Sequence, residues 1–197
     1  MLDDWHMKYF YWNVILRGYI KTMLKLFARS MSASLSQATF AAGCFWSVEL
    51  VFQREPGVVT TKVGYIGGKK DKPTYEEVCT GKTGHAEAVH LEYDPKIVSY
   101  DRLLKVFWEK HNPTQKDRQG NDVGTQYRSA IFYHNEEQKE IAKKSIAEEE
   151  KVLNRKIVTE LTKFTTFWDA EEYHQKYLEK GGQCSIKGNK DKIRCYG

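Results

Sequence analysis

Apolar and polar positions alternate along this chain with two different periods, and the switches between them lay out its elements. Residues Ala38–Ala42 read as a short strand that leads through Gly43 into a helix on which Phe45, Val48 and Phe52 recur at helical spacing, until Pro56-Gly57 stops it. A second strand is predicted over Val58–Tyr65, ended by Gly67-Gly68, and a third over Ala86–Tyr93, ended by Asp94-Pro95. Ser99 can cap a helix whose apolar side is Leu103, Val106 and Phe107, and Pro113 disfavours helical geometry just ahead of it, so this helix finishes near His111. A loop over 112–124 precedes a predicted strand over Gln126–Tyr133. Asn135 with Gln138 has the form of a capping box for a long charged helix reaching about Asn154, whose charge run reads as a solvated face. A strand over Lys156–Thr162 and a short helix over Asp169–Leu178, opened by Asp169 and Glu172, complete the pattern. Strands and helices that alternate with short links predict an α+β fold, a mixed sheet with helices packed on it.

A chain of 197 residues that is 41% hydrophobic can bury one sizeable core. Repeats and low-complexity blocks are absent between 36 and 197, so the expected organisation is a leader or disordered extension over 1–35, one folded domain over 36–180, and a flexible Gly- and Lys-rich tail over 181–197. The formal net charge of +5 raises the question of a polyanion partner. Residues 1–31 hold five basic against two acidic residues, a surplus of three that leaves only two for the rest. A nearly balanced body without a Lys/Arg stripe argues against nucleic acid, which needs a concentrated cationic face. The apolar run Tyr9–Leu16 is cut by Arg17 far short of the roughly 20 residues that span a bilayer, so no transmembrane helix is expected there. From Met23 the leader is basic, Ser-rich and free of acid, as an organelle-targeting presequence is, while Asp3 and Asp4 spoil that pattern at the start. Cytoplasmic and mitochondrial locations both stay open on this reading.

Four cysteines, at 44, 79, 184 and 195, are too few and too unevenly placed for a secreted disulfide framework, and neither their spacing nor that of the histidines makes a coherent metal site. In a reducing setting each thiol is either a small buried hydrophobe or a reagent. Cys44 falls at the predicted helix start, where unpaired backbone N–H groups and the helix dipole favour the thiolate. Phe45 belongs to the apolar stripe, so the adjacent Trp46 is left to line something else, and an aromatic wall beside a thiol suits a small apolar group such as an S-methyl. Taken singly, a cysteine at this junction reads as packing, Glu87 as a surface charge on an alternating strand, and Tyr75 and Tyr127 as ordinary strand aromatics. Two other classes fit the same residues: a Cys-dependent hydrolase with His85 or His174 as base, and a binding module with an aromatic cage.

Four blocks in order change that balance: Gly43-Cys44-Phe45-Trp46, Pro73–Gly81, Gly84–Val89, and Gly120–Ser129. Together they resemble the signature blocks of the A-type peptide-methionine sulfoxide reductases, and the similarity runs from about Thr39 to the C-terminus. The resemblance implies a two-layer α+β sandwich with a ferredoxin-like core and long coil segments. It implies thiol-dependent reduction of methionine S-sulfoxide in oxidised proteins or peptides, with thioredoxin as reductant, no bound cofactor, and a monomer. Cys44 matches the nucleophile and Glu87 the acid that protonates the sulfoxide oxygen. Tyr75 and Tyr127 match tyrosines that orient that oxygen, Phe45 and Trp46 the walls around the methyl group, and Asp122 the residue that anchors substrate. Cys195, in the ending Ile193–Gly197, resembles the resolving thiol of plant-type members, which usually carry a further cysteine where this chain has Asn189. Cys184 is the candidate to replace it, with the order of exchange open. Cys79 is expected to be a buried structural residue, and His174 to serve structural hydrogen bonding of the C-terminal helix.

Overall fold

The computed structural model describes residues 34–194; the leader up to residue 33 and the ending from Cys195 lie outside the described residues. The chain folds as β1 (Ser36–Ala42), α1 (Phe45–Arg54), β2 (Val58–Ile66), α2 (Tyr75–Cys79), β3 (Ala86–Tyr93) and α3 (Tyr100–Lys110). It continues as β4 (Arg118–Gln119), β5 (Asp122–Val123), a 3-10 turn over Thr125–Tyr127, β6 (Ser129–Tyr133), α4 (Glu136–Leu153), β7 (Glu160–Lys163), β8 (Trp168–Asp169) and α5 (Tyr177–Lys180). The main sheet has the order β7-β6-β1-β3-β2-β8, with β6 and β7 parallel and the other pairs antiparallel. Its centre, β1-α1-β2-β3-α3-β6 in the order β6-β1-β3-β2, is the ferredoxin-like βαββαβ arrangement with long coil added.

Strand parity decides what reaches the core. Ala38, Phe40 and Ala42 of β1 face the helix layer with Val63 and Tyr65 of β2 and Val89, Leu91 and Tyr93 of β3, all buried. Phe40 stacks at 5.3 Å on both Phe52 and Phe107, so it joins β1 to α1 and α3; truncating such a ring costs about 3–5 kcal/mol. The opposite parity, Ala41, Ile66, Ala86, Ala88, Ala130 and Phe132, forms a thinner apolar layer covered by Phe164 and Phe167. Glu87 shares the parity of Val89 and Leu91, so the sheet aims it into the helix side.

Several elements differ from the periodicity reading. Gln126 lies in the 3-10 turn, and the strand begins only at Ser129, because Gly124 at φ 146° re-aims the chain before it. The expected loop over 112–124 contains the β4-β5 hairpin. The predicted helix over Asp169–Leu178 shrinks to Tyr177–Lys180, because Trp168 and Asp169 instead pair with Tyr65 and Gly64 and extend the sheet. Asn135 caps the Gln138 N–H, but the Gln138 side chain accepts from His134 N–H, so the capping box is half formed. Helix α2 is an addition, opened by a full capping box between Thr74 and Glu77.

Candidate active site

Gly43 turns the chain from β1 into α1 at φ 87°, a backbone setting that favours glycine, and a Cβ there would lie 2.8 Å from that of Gln119. Cys44 then occupies the N-cap of α1, partly exposed. The first turn of this helix carries no acidic residue of its own. The carboxylate arrives from the sheet instead: Glu87 Oε2 accepts the Phe45 N–H at 3.1 Å, next to Cys44 in the chain. Glu87 is 2% exposed, and burial pushes its carboxyl up to about 8 against the Phe45 hydrogen bond that lowers it, with the Asp122 charge raising it further. Taken singly Glu87 reads as a surface charge, but its strand parity buries it behind the helix start.

Tyr75 opens α2 and Tyr127 closes the 3-10 turn, both partly buried. Burial holds each hydroxyl above the usual tyrosine range, so each keeps its proton and can donate it in a hydrogen bond. The Tyr127 hydroxyl also feels the charges of Glu87, Cys79, Asp122 and Cys44, so three of the residues singled out in the sequence, Glu87, Asp122 and Cys44, lie near it together with Cys79. Asp122 itself is exposed on β5. Cys79 is exposed, contrary to the expected buried role, because Val78 takes the core-facing side of so short a helix. The Cys79 thiol is hydrogen-bonded to Tyr75; partial desolvation, with the charges of Glu87, Glu76 and Glu171, holds its pKa above the usual thiol value although that bond lowers it.

Phe45 is 1% exposed and backs the site from within the core. Trp46 is only partly buried: one face stacks on Tyr177 at 4.0 Å, and its indole N–H donates to His174 Nδ1 at 3.0 Å. His174 lies in the turn before α5, so its hydrogen bond serves Trp46 more than the C-terminal helix. Glu171, which sequence reasoning did not single out, accepts the Tyr75 N–H and the Tyr65 hydroxyl, both at 2.9 Å. Burial raises its carboxyl, but those hydrogen bonds and His174 outweigh it and leave it below the usual range. Nothing in the pattern separates Glu171 from its exposed neighbour Glu172.

Neither histidine suits the hydrolase reading. His85 accepts the Gly68 N–H at Nδ1, and its Nε2 meets the Lys70 carbonyl, so both nitrogens are engaged. With Nδ1 of His174 receiving the Trp46 N–H, its Nε2 carries the proton and offers no lone pair. Among the described residues no group of three or more His, Cys, Asp or Glu can hold a metal ion, and no helix is long and apolar enough to cross a membrane.

The described part of the tail is fastened by polar atoms. Arg54, 7% exposed at the end of α1, donates from Nε to the Cys184 carbonyl at 2.8 Å and from a terminal nitrogen to that of Asp191 at 2.6 Å. Lys187 Nζ reaches the Gln53 and Val58 carbonyls, and the Gln183 amide pairs with both backbone groups of Arg194. Cys184 is partly exposed, and Cys195 follows the last described residue.

Residues 36–194 match the family described as peptide methionine sulfoxide reductase. The chain is 60% identical over 163 residues to peptide methionine sulfoxide reductase A2-1 of Oryza sativa subsp. japonica, a match covering 83% of this chain and 87% of the relative. It is similar to the crystal structure of Mxr1 from Saccharomyces cerevisiae in reduced form, with 36% identity and a TM-score of 0.73 over 78% of this chain and 89% of that one. It is also similar to Mxr1 in complex with Trx2, with 25% identity and a TM-score of 0.54 over 78% and 88% of the two chains.

Proposed function

The chain belongs to the peptide methionine sulfoxide reductase family and is an oxidoreductase that reduces methionine sulfoxide, and from that premise we propose that Cys44 and Glu87 carry the reaction as nucleophile and acid. The Cys44 thiolate attacks the sulfoxide sulfur, Glu87 gives its proton to the sulfoxide oxygen, and the oxygen passes to Cys44. Methionine leaves, and Cys44 is left as a sulfenic acid. The observation that carries the reading is the buried Glu87 carboxyl, raised to about 8 and bonded to the N–H that follows Cys44. A carboxyl so placed holds a proton at neutral pH beside a helix start that favours a thiolate.

Tyr75 and Tyr127 direct their hydroxyls to the sulfoxide oxygen, Trp46 walls the S-methyl group with Phe45 behind it, and Asp122 anchors the substrate at the rim. The substrate is the S epimer in oxidised proteins or peptides. Cys195 resolves the sulfenic acid as a disulfide with loss of water, and thioredoxin returns the enzyme to its dithiol state. Support for thioredoxin comes from the related Mxr1, crystallised in complex with Trx2.

The test is an epimer-resolved assay with dithiothreitol. Purified protein consumes methionine S-sulfoxide and leaves the R epimer, and Cys44→Ser abolishes turnover. Protein that leaves the S epimer untouched under these conditions overturns the reading.

A further inference from the structure

Trp46 and Tyr75 come from different elements, α1 and α2, yet both rest on one buried side chain. His174 is 1% exposed, and the centroid of its ring lies 4.4 Å from that of Tyr75 and 5.5 Å from that of Trp46. The indole stacks on Tyr177 at 4.0 Å, and stacking by itself lets a ring turn and slide in its own plane. The directional bond from its N–H to His174 Nδ1, at 3.0 Å, removes that freedom. His174 is held in turn. Its N–H donates to the Glu171 carbonyl at 2.9 Å, the neighbouring Gln175 amide pairs with both backbone groups of Val63 in β2, and the Lys176 N–H donates to the buried Glu49 of α1 at 2.8 Å. The Glu171 carboxylate lies 3.9 Å from His174 Nε2, where its charge favours the proton on that nitrogen, and its other oxygen accepts the Tyr75 N–H. The His174 Nε2–H has no hydrogen-bond partner among the described residues. A buried donor left so costs about 1–3 kcal/mol, which a phenyl ring of similar size would avoid. What the imidazole offers in return is the acceptor for Trp46.

We propose that His174 is a positioning residue that makes the pocket select an S-methyl group over larger S-alkyl groups, by fixing the Trp46 indole relative to Tyr75. The proposal rests on the function given above, in which Trp46 walls the methyl group and Tyr75 donates to the sulfoxide oxygen, and deepens it. A substrate whose oxygen is engaged by Tyr75 presents its alkyl group to the indole, so one more methylene fits only if the indole gives way. Trp46 cannot turn without breaking its bond to His174, and cannot tilt without leaving Tyr177. His174 cannot follow it, because the segment that carries it is fastened to both β2 and α1. One methylene in a fitted pocket changes kcat/KM by about 10–200-fold, and His174 supplies the stiffness behind that difference. The contact with the methyl group is made alike in the bound substrate and in the transition state, so loosening it raises KM and leaves kcat nearly as it was.

The experiment compares the S-sulfoxides of methionine and of ethionine, its S-ethyl analogue, with dithiothreitol as reductant. Wild-type protein prefers the S-methyl substrate by about tenfold or more in kcat/KM. His174→Phe keeps a ring and removes the acceptor; its preference falls to about threefold or less, and the KM for methionine sulfoxide rises while kcat is nearly kept. His174→Asn, whose Oδ1 can stand where Nδ1 does, restores most of the preference. Trp46→Phe removes the same bond from its other end and loses the preference too, and the double variant loses no more than either single one. The proposal is overturned if wild-type protein accepts both groups alike, or if His174→Phe keeps the wild-type preference. It is equally overturned if His174→Phe loses turnover of both substrates in the same proportion, if His174→Asn restores nothing, or if the two substitutions add in the double variant. Wild-type protein that leaves methionine S-sulfoxide untouched instead defeats the functional reading itself.

Discussion

Glu87 Oε2 accepts the backbone N–H of Phe45 at 3.1 Å, so a carboxyl from the centre of the sheet is fastened to the start of the helix that carries Cys44. That bond favours the ionised form, yet burial wins and holds the carboxyl at about 8. With the folded value raised above the ordinary 4.5, the proton stabilises the fold fully below 4.5, and this contribution is lost as pH rises through about 8. Activity follows the same titration, since the acid form is the one that protonates the sulfoxide. Single-turnover rates are therefore expected to fall as pH rises through about 8. Glu87→Gln removes that alkaline limb, lowers the rate by roughly 10²–10⁴-fold, and raises the melting temperature at pH 9. A Glu87→Gln enzyme that keeps the wild-type alkaline limb would assign the titration to another group.

Two hydroxyls that keep their protons can share the developing charge on the sulfoxide oxygen. A hydrogen bond to a charged group contributes about 1.5–3 kcal/mol, so Tyr75→Phe and Tyr127→Phe should each lower kcat/KM by roughly 10–100-fold. The loss should fall mainly on kcat, because the charge develops in the transition state. Unchanged kcat in Tyr127→Phe would place the oxygen elsewhere.

The candidate site is legible in the sequence through four blocks in a fixed order rather than through any single residue, and of its junctions only the Gly43 turn before α1 is marked by the apolar pattern. The burial of Glu87 is less legible. Ala86, Ala88 and His90 make the other face of β3 nearly as apolar as Val89 and Leu91, so alternation alone does not say which face is the core. Helix α2 is too short to show a period, although Thr74 and Glu77 carry the spacing of a capping box. Asp169 and Glu172 have the same spacing without the helix, because pairing with Gly64 claims Asp169 for the sheet. The tail is invisible to hydrophobic periodicity for a different reason. Arg54, Gln183 and Lys187 hold it through backbone carbonyls and amides, and those bonds leave no pattern in residue type.

Gly43 is a test of how tightly the helix start is set. Its φ of 87° and the 2.8 Å separation between an added Cβ and that of Gln119 both oppose a side chain. Gly43→Ala should cost roughly 1–3 kcal/mol in denaturant unfolding and lower kcat by displacing Cys44 relative to Glu87. Gln119→Gly in the same chain restores only the part that comes from the contact, since the backbone strain stays. Full recovery in the double variant would mean that φ contributes nothing.

His111 is expected to weaken the fold in acid. Its Nδ1 lies 2.7 Å from the Phe107 carbonyl, which only accepts, so Nδ1 carries the proton and Nε2 takes the Ser129 hydroxyl, also at 2.7 Å. Ser129 is bonded in turn to Thr159 at 2.8 Å, which links α3 to β6 and to the coil before β7. Burial lowers the His111 pKa to about 4, from an ordinary 6.5. A folded value below the unfolded one means stabilisation that is fully present above 6.5 and is lost as pH falls toward 4, at about 1.4 kcal/mol per unit of displacement. His134, also lowered to about 4 by burial and then by His90, adds to the same slope. His111→Gln gives up a buried hydrogen bond and should be about 1–3 kcal/mol less stable at pH 7.5. It has no proton to gain, so its deficit should narrow at pH 4.5. Denaturant unfolding of both proteins at the two pH values measures this, and an equal deficit at each would show that His111 does not govern acid stability.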